Sequence, residues 1–214
     1  MDVTICVANI SHVKYAERIC ELVYISAQER GTGIATRSPE YIAEKMIAGK
    51  AVIALDGDEV AGFSYIETWS HSKFVANSGL IIAHDYRHSG LARRVKAKIF
   101  EHSRKLYPDA KIFSITTGLA VMKLNTELGF KPVTFSELTD DKDFWRGCEG
   151  CKNFDILQRN NHKMCLCTGL LYDPAEVAKE KTTQSRSNPF LAYVGKALLV
   201  APLTKINSII SFKK

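Results

Sequence analysis

The sequence predicts an α/β fold in which strands alternate with helices. Apolar runs alternate along the chain with segments whose apolar residues recur every three or four positions. Helix-start and turn residues stand between these segments, where caps and hairpins need them. The chain has 214 residues, 46% of them hydrophobic, which suits one domain with additions. No stretch resembles a signal peptide, and we therefore expect a cytoplasmic protein.

The predicted helices are identified by their periodicity and by their end signals. Ser11 is predicted to cap the first helix. Ser38-Pro39-Glu40 supplies an N-cap, a first-position proline and an acidic first turn for the second helix, which Gly49 ends. The predicted helices cover residues 11–27, 38–49, 91–106 and 119–128.

The predicted strands are apolar runs bounded by turn residues. Asp56-Gly57-Asp58 separates two of them and predicts a hairpin. The predicted strands cover residues 3–8, 51–55, 60–68, 73–83 and 111–117, a segment after Gly129-Phe130 that ends at residue 135, and residues 163–171, which could supply the last strand of the sheet.

The turn Arg87-His88-Ser89-Gly90-Leu91-Ala92 joins an apolar strand to a basic amphipathic helix. Gly90 and Ala92 have little or no side chain, so a ligand can approach the backbone of the first helical turn closely. The N–H groups there have no partner within the helix, and such a helix end attracts anions. The basic face of the predicted helix comprises Arg93, Arg94, Lys96, Lys98, Arg104 and Lys105.

Two motifs in this order resemble those of the GNAT (GCN5-related N-acetyltransferase) acyltransferases. One is the R-x-x-G-x-A pattern of residues 87–92, and the other is Leu124-Asn125-Thr126-Glu127-Leu128-Gly129-Phe130. The resemblance implies a central mixed, mostly antiparallel sheet flanked by helices over residues 1–174, and transfer of an acyl group from acetyl-CoA or succinyl-CoA. It also implies a set of residues that bind the CoA thioester: Leu80, Ile82, Arg87, His88, Ser89, Gly90, Leu91, Ala92 and Arg93.

The catalytic groups depart from the family pattern at two positions. Asn125 stands where many relatives carry a tyrosine acid, and an amide can hydrogen-bond the CoA sulfur but cannot supply that proton. Ala76 stands where some relatives carry a glutamate base. Glu67 and His71 are the nearest titratable replacements, and water is the alternative.

The acceptor is predicted from the loop of residues 31–36, which in this family covers the acceptor site. Arg30 and Arg37 bracket this loop, and their guanidinium groups suit the carboxylates of an amino acid. Residues 30–35, 68–71 and 136–141 resemble a GNAT subgroup found beside arginine-biosynthesis genes in Bacteroidota, which implies N-acylation of glutamate. Two alternatives remain: a protein or peptide N-acetyltransferase, and an inactive acyl-CoA-binding interaction module.

Four cysteines are predicted to share a Cys-rich hairpin of residues 145–168. Cys148 and Cys151 form a CxxC pair, and Cys165 and Cys167 would project from one face of a strand. A structural zinc site with four thiolates and unligated core cysteines are equally compatible with this spacing, and redox pairing ranks third.

The formal net charge of +6 comes from the end of the chain. Seven basic residues and one acidic residue follow position 178, and the rest is formally neutral, so we expect no nucleic-acid partner. Residues 175–188 predict a polar linker, and residues 189–214 an apolar, basic tail that Lys196, Pro202 and Lys205 make a poor membrane span. In order of preference, the tail docks on the domain, forms a homodimer contact or lies on a bilayer surface.

Overall fold

A computed structural model describes residues 2–30 and 37–187 of the chain. It divides into two compact units, Met1–Asp173 and Pro174–Lys214. The first unit contains the sheet and every feature discussed below. The described part of the second unit is one helix.

Seven strands form a single sheet in the order β1-β2-β3-β4-β5-β7-β6. Their bounds are β1 Thr4–Val7, β2 Ala51–Asp56, β3 Glu59–Trp69, β4 Phe74–Ile82, β5 Lys111–Thr116, β6 Lys131–Val133 and β7 Thr168–Tyr172. Strands β4 and β5 are parallel, and every other neighbouring pair is antiparallel. The mixed, mostly antiparallel sheet expected from the sequence is confirmed.

Seven α-helices accompany the sheet in the described residues: α1 Ala16–Arg30, α2 Pro39–Ile47, α3 Leu91–Leu106, α4 Leu119–Glu127, α5 Lys142–Arg146, α6 Phe154–Arg159 and α7 Pro174–Ser187. Ser38 caps α2 as expected, because its side chain accepts from the N–H of Tyr41. The predicted cap at Ser11 is wrong. A 3-10 helix precedes α1, and Asn9 caps it by accepting from the backbone N–H of Ser11.

The helices cover the two faces of the sheet. Helices α1 and α2 pack on the face that carries Phe63 and Ile81. Helix α3 packs on the opposite face, where Val95 and Ile99 join the cluster of Ile82 and other buried residues. A third apolar cluster includes Phe113 of β5 and the segment that carries α5 and α6. The first face is thus covered near β2 and β3 by α1 and α2, and near β5 and β7 by that segment.

Two predicted segments differ from the structure. The Cys-rich hairpin of residues 145–168 is instead the end of α5, a turn and α6, and β7 begins only at Thr168, since Met164 and Leu166 are exposed rather than buried as strand residues. The polar segment of residues 175–188 is helical through Ser187, because Pro174 and Glu176 are favourable first-turn residues. The tail of residues 189–214 lies outside the described residues.

Candidate functional site

Strands β4 and β5 part shortly after they meet. Phe74–Ala76 pair in parallel with Lys111–Phe113, whereas residues 77–82 continue their register with β3 only. A strand edge without a neighbour presents backbone N–H and C=O groups that need other partners. The parting therefore opens a cleft lined by one edge of β4.

A bulge bends β4 within this open stretch. Phe63 pairs with Ile81 and Tyr65 pairs with Ser78, so Gly79 and Leu80 share the single partner Ser64. Gly79 has φ +63, and a Cβ there would lie 2.3 Å from Cε1 of Tyr65. Glycine is thus required both for the backbone conformation and for the space. The bulge marks where β4 turns away from β5.

The turn after β4 presents an open helix N-terminus. Gly90 is the N-cap of α3 with φ +79, offers no capping side chain, and has no atom within 4 Å of the position its Cβ would take. The Ser89 hydroxyl lies 3.4 Å from the N–H of Leu91. No acidic residue stands in the first turn. The backbone of this turn is available to an anion, as the sequence predicted.

The two arginines of the motif are engaged within the protein. Arg87 donates to Glu29 (2.7 Å), to the Ser26 hydroxyl (3.0 Å) and to the carbonyl of Ile82 (3.3 Å). Arg93 forms a bidentate pair with Glu127, at 2.7 and 2.8 Å. Arg87 therefore fixes the turn against α1, and Arg93 joins α3 to α4. The exposed His88 adopts φ +63 and shapes the turn between them.

Several buried side-chain atoms on β3, β4 and α4 have no hydrogen-bond partner. In the described residues these side-chain atoms are Oε1 of Glu67, Nε1 of Trp69, Oδ1 of Asn77, and both amide atoms of Asn125. Asn77 is the first residue of β4 beyond its pairing with β5, and Glu67 and Trp69 pair in register with Ala76 and Phe74. Buried polar groups in folded proteins almost always have partners, so the two beside the parting, Oε1 of Glu67 and Oδ1 of Asn77 on opposite faces of the sheet, are candidates for contact with a ligand.

Asn125 lies on α4, which follows β5 directly. Its side chain is fully buried, and its backbone carbonyl accepts from the N–H of Phe130 at 3.1 Å. Its neighbours Leu124 and Leu128 line a cavity of about 270 Å³ between α3 and α4, together with Lys96 of α3. Both amide atoms lack a partner in the described residues, and the role expected of Asn125, a hydrogen bond to the CoA sulfur, stays a prediction.

Glu67 is the titratable group nearest to the parting of the strands. It pairs in register with Ala76, so the carboxylate lies one strand away from the position where relatives carry a glutamate base. Burial raises the pKa of Glu67 to about 7, while the Arg37 charge opposes this shift. Lys45 donates to its Oε2 at 3.1 Å and acts in the same direction as Arg37. Glu67 is a carboxyl group that exchanges its proton near neutral pH.

Basic and aromatic side chains gather beside Glu67. The guanidinium of Arg37 lies 5.3 Å from the ring centre of Tyr41, and the ammonium of Lys45 lies 4.6 Å from the same ring. Arg37 also interacts with the hydroxyl of the buried Tyr65. Its charge lowers the pKa of Cys148 against the larger effect of burial, so it is within electrostatic reach of the segment that carries α5 and α6. The sequence identified Arg37 and Glu67 but missed Lys45, which the i,i+4 spacing from Tyr41 could have indicated.

Known structures share the fold. N-acetylglutamate synthase from Neisseria gonorrhoeae, complexed with coenzyme A and N-acetyl-glutamate, is 18% identical over 81% of this chain, with a TM-score of 0.57. The match covers 35% of the synthase, so this chain spans about a third of its length. Rv2747 from Mycobacterium tuberculosis, in complex with CoA and NLQ, is 15% identical over 79% of this chain and 98% of its own, with a TM-score of 0.55. A GNAT superfamily phosphinothricin acetyltransferase from Sinorhizobium meliloti, in complex with AcCoA, is 13% identical over 81% of this chain and 89% of its own, with a TM-score of 0.54.

The chain has the GNAT acyltransferase fold. No protein-family model matches it, and no curated protein matches it in sequence. The GNAT fold therefore rests on structural likeness together with the parted strands and the open helix N-terminus described above. Among the described helices, none is long and apolar enough to cross a membrane.

Three of the residues predicted for the site differ from expectation: one is exposed, one lies at the edge of the described residues, and one is bonded within the protein. His71 lies in an exposed turn between β3 and β4 with φ +55, and no hydrogen bond or ion pair of the described residues joins it to Glu67. Of the two base candidates, the structure thus favours Glu67. Arg30 ends α1, but its side chain and the loop of residues 31–36 lie outside what the structure describes. The carbonyl of Ile82, predicted to contact CoA, accepts from Arg87 instead.

Of the two equal alternatives for the four cysteines, a zinc site and unligated core thiols, the described residues do not support the zinc site. No group of three or more His, Cys, Asp or Glu side chains in residues 2–30 and 37–187 is arranged to hold a metal ion. Cys148 and Cys151 lie in the turn after α5, and Cys165 and Cys167 precede β7, so the latter pair does not share a strand face. Burial raises the pKa of Cys148 to about 11 and of Cys167 to about 12, with smaller contributions from the neighbouring thiols. All four cysteines are free thiols, and Cys148, Cys165 and Cys167 pack against the apolar cluster that includes Phe113.

Proposed function

We propose that this protein is an acyl-CoA-dependent N-acyltransferase that transfers an acetyl or succinyl group to the α-amine of a small amino acid, glutamate first. The observation that carries the proposal is the parting of β4 from β5, beside which Oε1 of Glu67, on one face of the sheet, and Oδ1 of Asn77, on the other, are buried without a partner. Around the parting lie an open strand edge, a helix N-terminus that suits an anion, and a carboxyl group whose pKa is near neutral pH. These are the parts that amine acylation by a thioester requires.

The CoA half of the site consists of β4, the following turn and α4. The pyrophosphate would lie at the N-terminus of α3, where the backbone around Gly90 is open. The pantetheine arm would follow the open edge of β4 past Leu80. Its amide groups could then pair with the backbone of β4, and the unpartnered Oδ1 of Asn77 could accept a hydrogen bond. The CoA complexes of the structural neighbours support this placement.

The chemical step needs a base for the incoming amine. Glu67 accepts a proton from the ammonium form of the acceptor, and the freed nitrogen lone pair attacks the thioester carbonyl carbon. The C–S bond of the tetrahedral intermediate then breaks, and its electron pair leaves with sulfur as the CoA thiolate. The nitrogen, which becomes cationic on attack, releases its second proton to solvent, and the product is the neutral amide. The Glu67 pKa of about 7 suits this exchange, because about half of such a base is ionised at neutral pH, and it is still basic enough to accept the proton.

The acceptor half lies on the other face, between α2 and the segment of α5 and α6. Arg37 and Lys45 provide positive charge beside Glu67, which suits a substrate that carries carboxylates. A dicarboxylic amino acid would place its α-amine toward Glu67 and its carboxylates toward these cations. The N-acetyl-glutamate bound to the Neisseria synthase supports glutamate as the first acceptor to test.

Free-thiol release from acetyl-CoA and succinyl-CoA, measured with a panel of amino acids and with a peptide amine, tests the proposal. We expect turnover with glutamate to exceed that with neutral amino acids. Arg37→Ala should lower kcat/KM for glutamate about ten- to a hundredfold, since a charge-assisted contact contributes about 1.5–3 kcal/mol. Arg37→Lys should recover only part, because a point charge cannot reproduce a forked contact.

The matched control is Arg94→Ala, which changes an arginine of α3 whose guanidinium contacts the carbonyl of Val3. It should leave glutamate turnover unchanged. Preference for the peptide over every amino acid would favour a protein acetyltransferase. CoA binding without turnover of any acceptor would favour a binding module.

A further inference from the structure

Lys96 of α3 is a buried amine without an ionic partner. Its side chain is 2% exposed, and no hydrogen bond or ion pair to its Nζ occurs in the described part of the chain. Nζ lies 5.3 Å from the ring centre of Phe130, and the side chain lines the cavity of about 270 Å³ between α3 and α4. The two charged side chains that line the cavity with it, Arg93 and Glu127, bind each other.

The amphipathic pattern alone places Lys96 on the basic face of α3, and this prediction is wrong. Ala92, Lys96, Ile99 and Ser103 follow one another at helical spacing, which is the stripe that faces the sheet. A lysine in such a stripe carries a large desolvation cost and is retained in proteins chiefly where it has a function. Burial lowers its pKa to about 7, so the amine exchanges its proton near neutral pH.

Contacts of α3 on either side of Lys96 show which part of β4 this residue faces. At one end of α3, Val95 lies 3.5 Å from the Cβ position of Gly62, which also abuts Ile82. Toward the other end, Ser103 accepts from Nδ2 of Asn77 at 2.7 Å. Lys96 lies between these contacts, so it is level with the bulged part of β4, where the strand has left β5. Its cavity also contacts Leu124 and Leu128, which flank the unpartnered amide of Asn125 on α4.

We propose that Lys96 is the acid that protonates the CoA thiolate released in the acyl transfer. This inference rests on the proposed function, in which Asn125 replaces the expected proton donor and leaves the thiolate without one. As the C–S bond breaks, its electron pair moves to sulfur, and a proton passes from the Lys96 ammonium to that sulfur. This step leaves the CoA thiol and the neutral amine of Lys96, which regains a proton from solvent through the cavity. Asn125 holds the sulfur by a hydrogen bond.

Kinetics of Lys96→Met against acetyl-CoA and the preferred acceptor test this role. The apolar side chain fits the stripe and removes only the acid. We expect kcat to fall about a hundredfold or more, the usual contribution of a general acid, with the affinity for acetyl-CoA unchanged. The decline of kcat above neutral pH in the parent should disappear in the variant. Lys96→Arg should not restore activity, because a guanidinium keeps its proton. Lys98→Met, which changes an exposed lysine of the same helix, is the control and should match the parent.

A second measurement does not depend on turnover. Lysines of the parent are labelled by reductive 13C-methylation, and the Lys96 signal is identified by its absence in Lys96→Met. Its pKa is then measured in complexes with CoA and with desulfo-CoA, which lacks the thiol. An amine pKa that differs between the two complexes supports the proposal, because only a sulfur that lies beside the amine can change it.

The outcomes separate the two claims. Equal amine pKa values in the two complexes, or an active parent whose kcat and pH profile survive in Lys96→Met, would overturn the role of Lys96 and leave the acyltransferase standing. A parent that neither binds CoA nor releases thiol would overturn the proposed function itself, and with it the role of Lys96.

Discussion

The two edges of β4 behave differently, and the difference locates the site. Toward β3, the strand is in register from Phe74 to Ile82, with one bulge. Toward β5, only Phe74–Ala76 are paired. The first edge contributes to the stability of the sheet, because its backbone groups satisfy one another. The second edge leaves the same groups for a ligand from Asn77 onward, and the Oδ1 atom of Asn77 is itself buried without a partner.

The largest loss of activity is expected when the proposed base, Glu67, is removed. Glu67→Gln keeps the shape and burial of the side chain but cannot accept a proton. We expect kcat/KM for the acceptor to fall about 10²–10⁴-fold at pH 7.5, while the dissociation constant for acetyl-CoA stays unchanged. Steady-state kinetics and calorimetry check both values.

The pH dependence of kcat/KM tests the same role of Glu67. Since Glu67 must be ionised to act, kcat/KM of the parent should rise with pH on the acidic side of its pKa of about 7. Glu67→Gln should lose this rise. Glu44→Gln, on α2, serves as the control. An unchanged rate in Glu67→Gln would assign the base to another group or to water.

A smaller effect is expected at the turn that follows the open edge. Gly90→Asp places a negative charge above the first turn of α3, where the account puts the pyrophosphate. Like charges brought together at a binding site cost several kcal/mol, so affinity for acetyl-CoA should fall at least about tenfold. Calorimetry with the folded variant measures this change.

Gly90→Asn is the matched control, because it has the same shape and the same conformational strain at φ +79 without the charge. Asn and Asp tolerate this conformation comparably well. The affinity of Gly90→Asn should therefore remain closer to that of the parent. Equal losses in the two variants would mean that strain, and not charge, weakens binding, and would remove the support for a phosphate at this turn.

The sequence predicts most of this fold because its local signals agree with the tertiary structure. The Ser38 cap, the Asp56-Gly57-Asp58 hairpin and the glycine of the Arg87–Ala92 motif each act through their own backbone. The Cys-rich segment was misassigned because apolar residues there cover the sheet from an irregular segment, where strand periodicity does not apply. Burial in three dimensions, not local pattern, decides such a segment.

The site was predicted only in part for a related reason. Glu67 could be found as the nearest titratable group, but its register with Ala76 appears only once β3 and β4 are paired. Lys96 was assigned to the solvent face because charged residues surround it in sequence, although its spacing from Ile99 places it toward the sheet. The partners of Arg87 and Arg93 lie on other helices, and no local signal identifies them.

Amide hydrogen exchange with and without acetyl-CoA tests the open edge of β4 most directly. Ligand pairing with the strand should slow exchange at N–H groups within residues 77–82 and at the first turn of α3, while the paired edge between β2 and β3 stays unchanged. This pattern of protection is expected if acetyl-CoA binds along the open edge of β4. Saturating acetyl-CoA that leaves residues 77–82 and the first turn of α3 unprotected, or that protects only amides elsewhere, would contradict it.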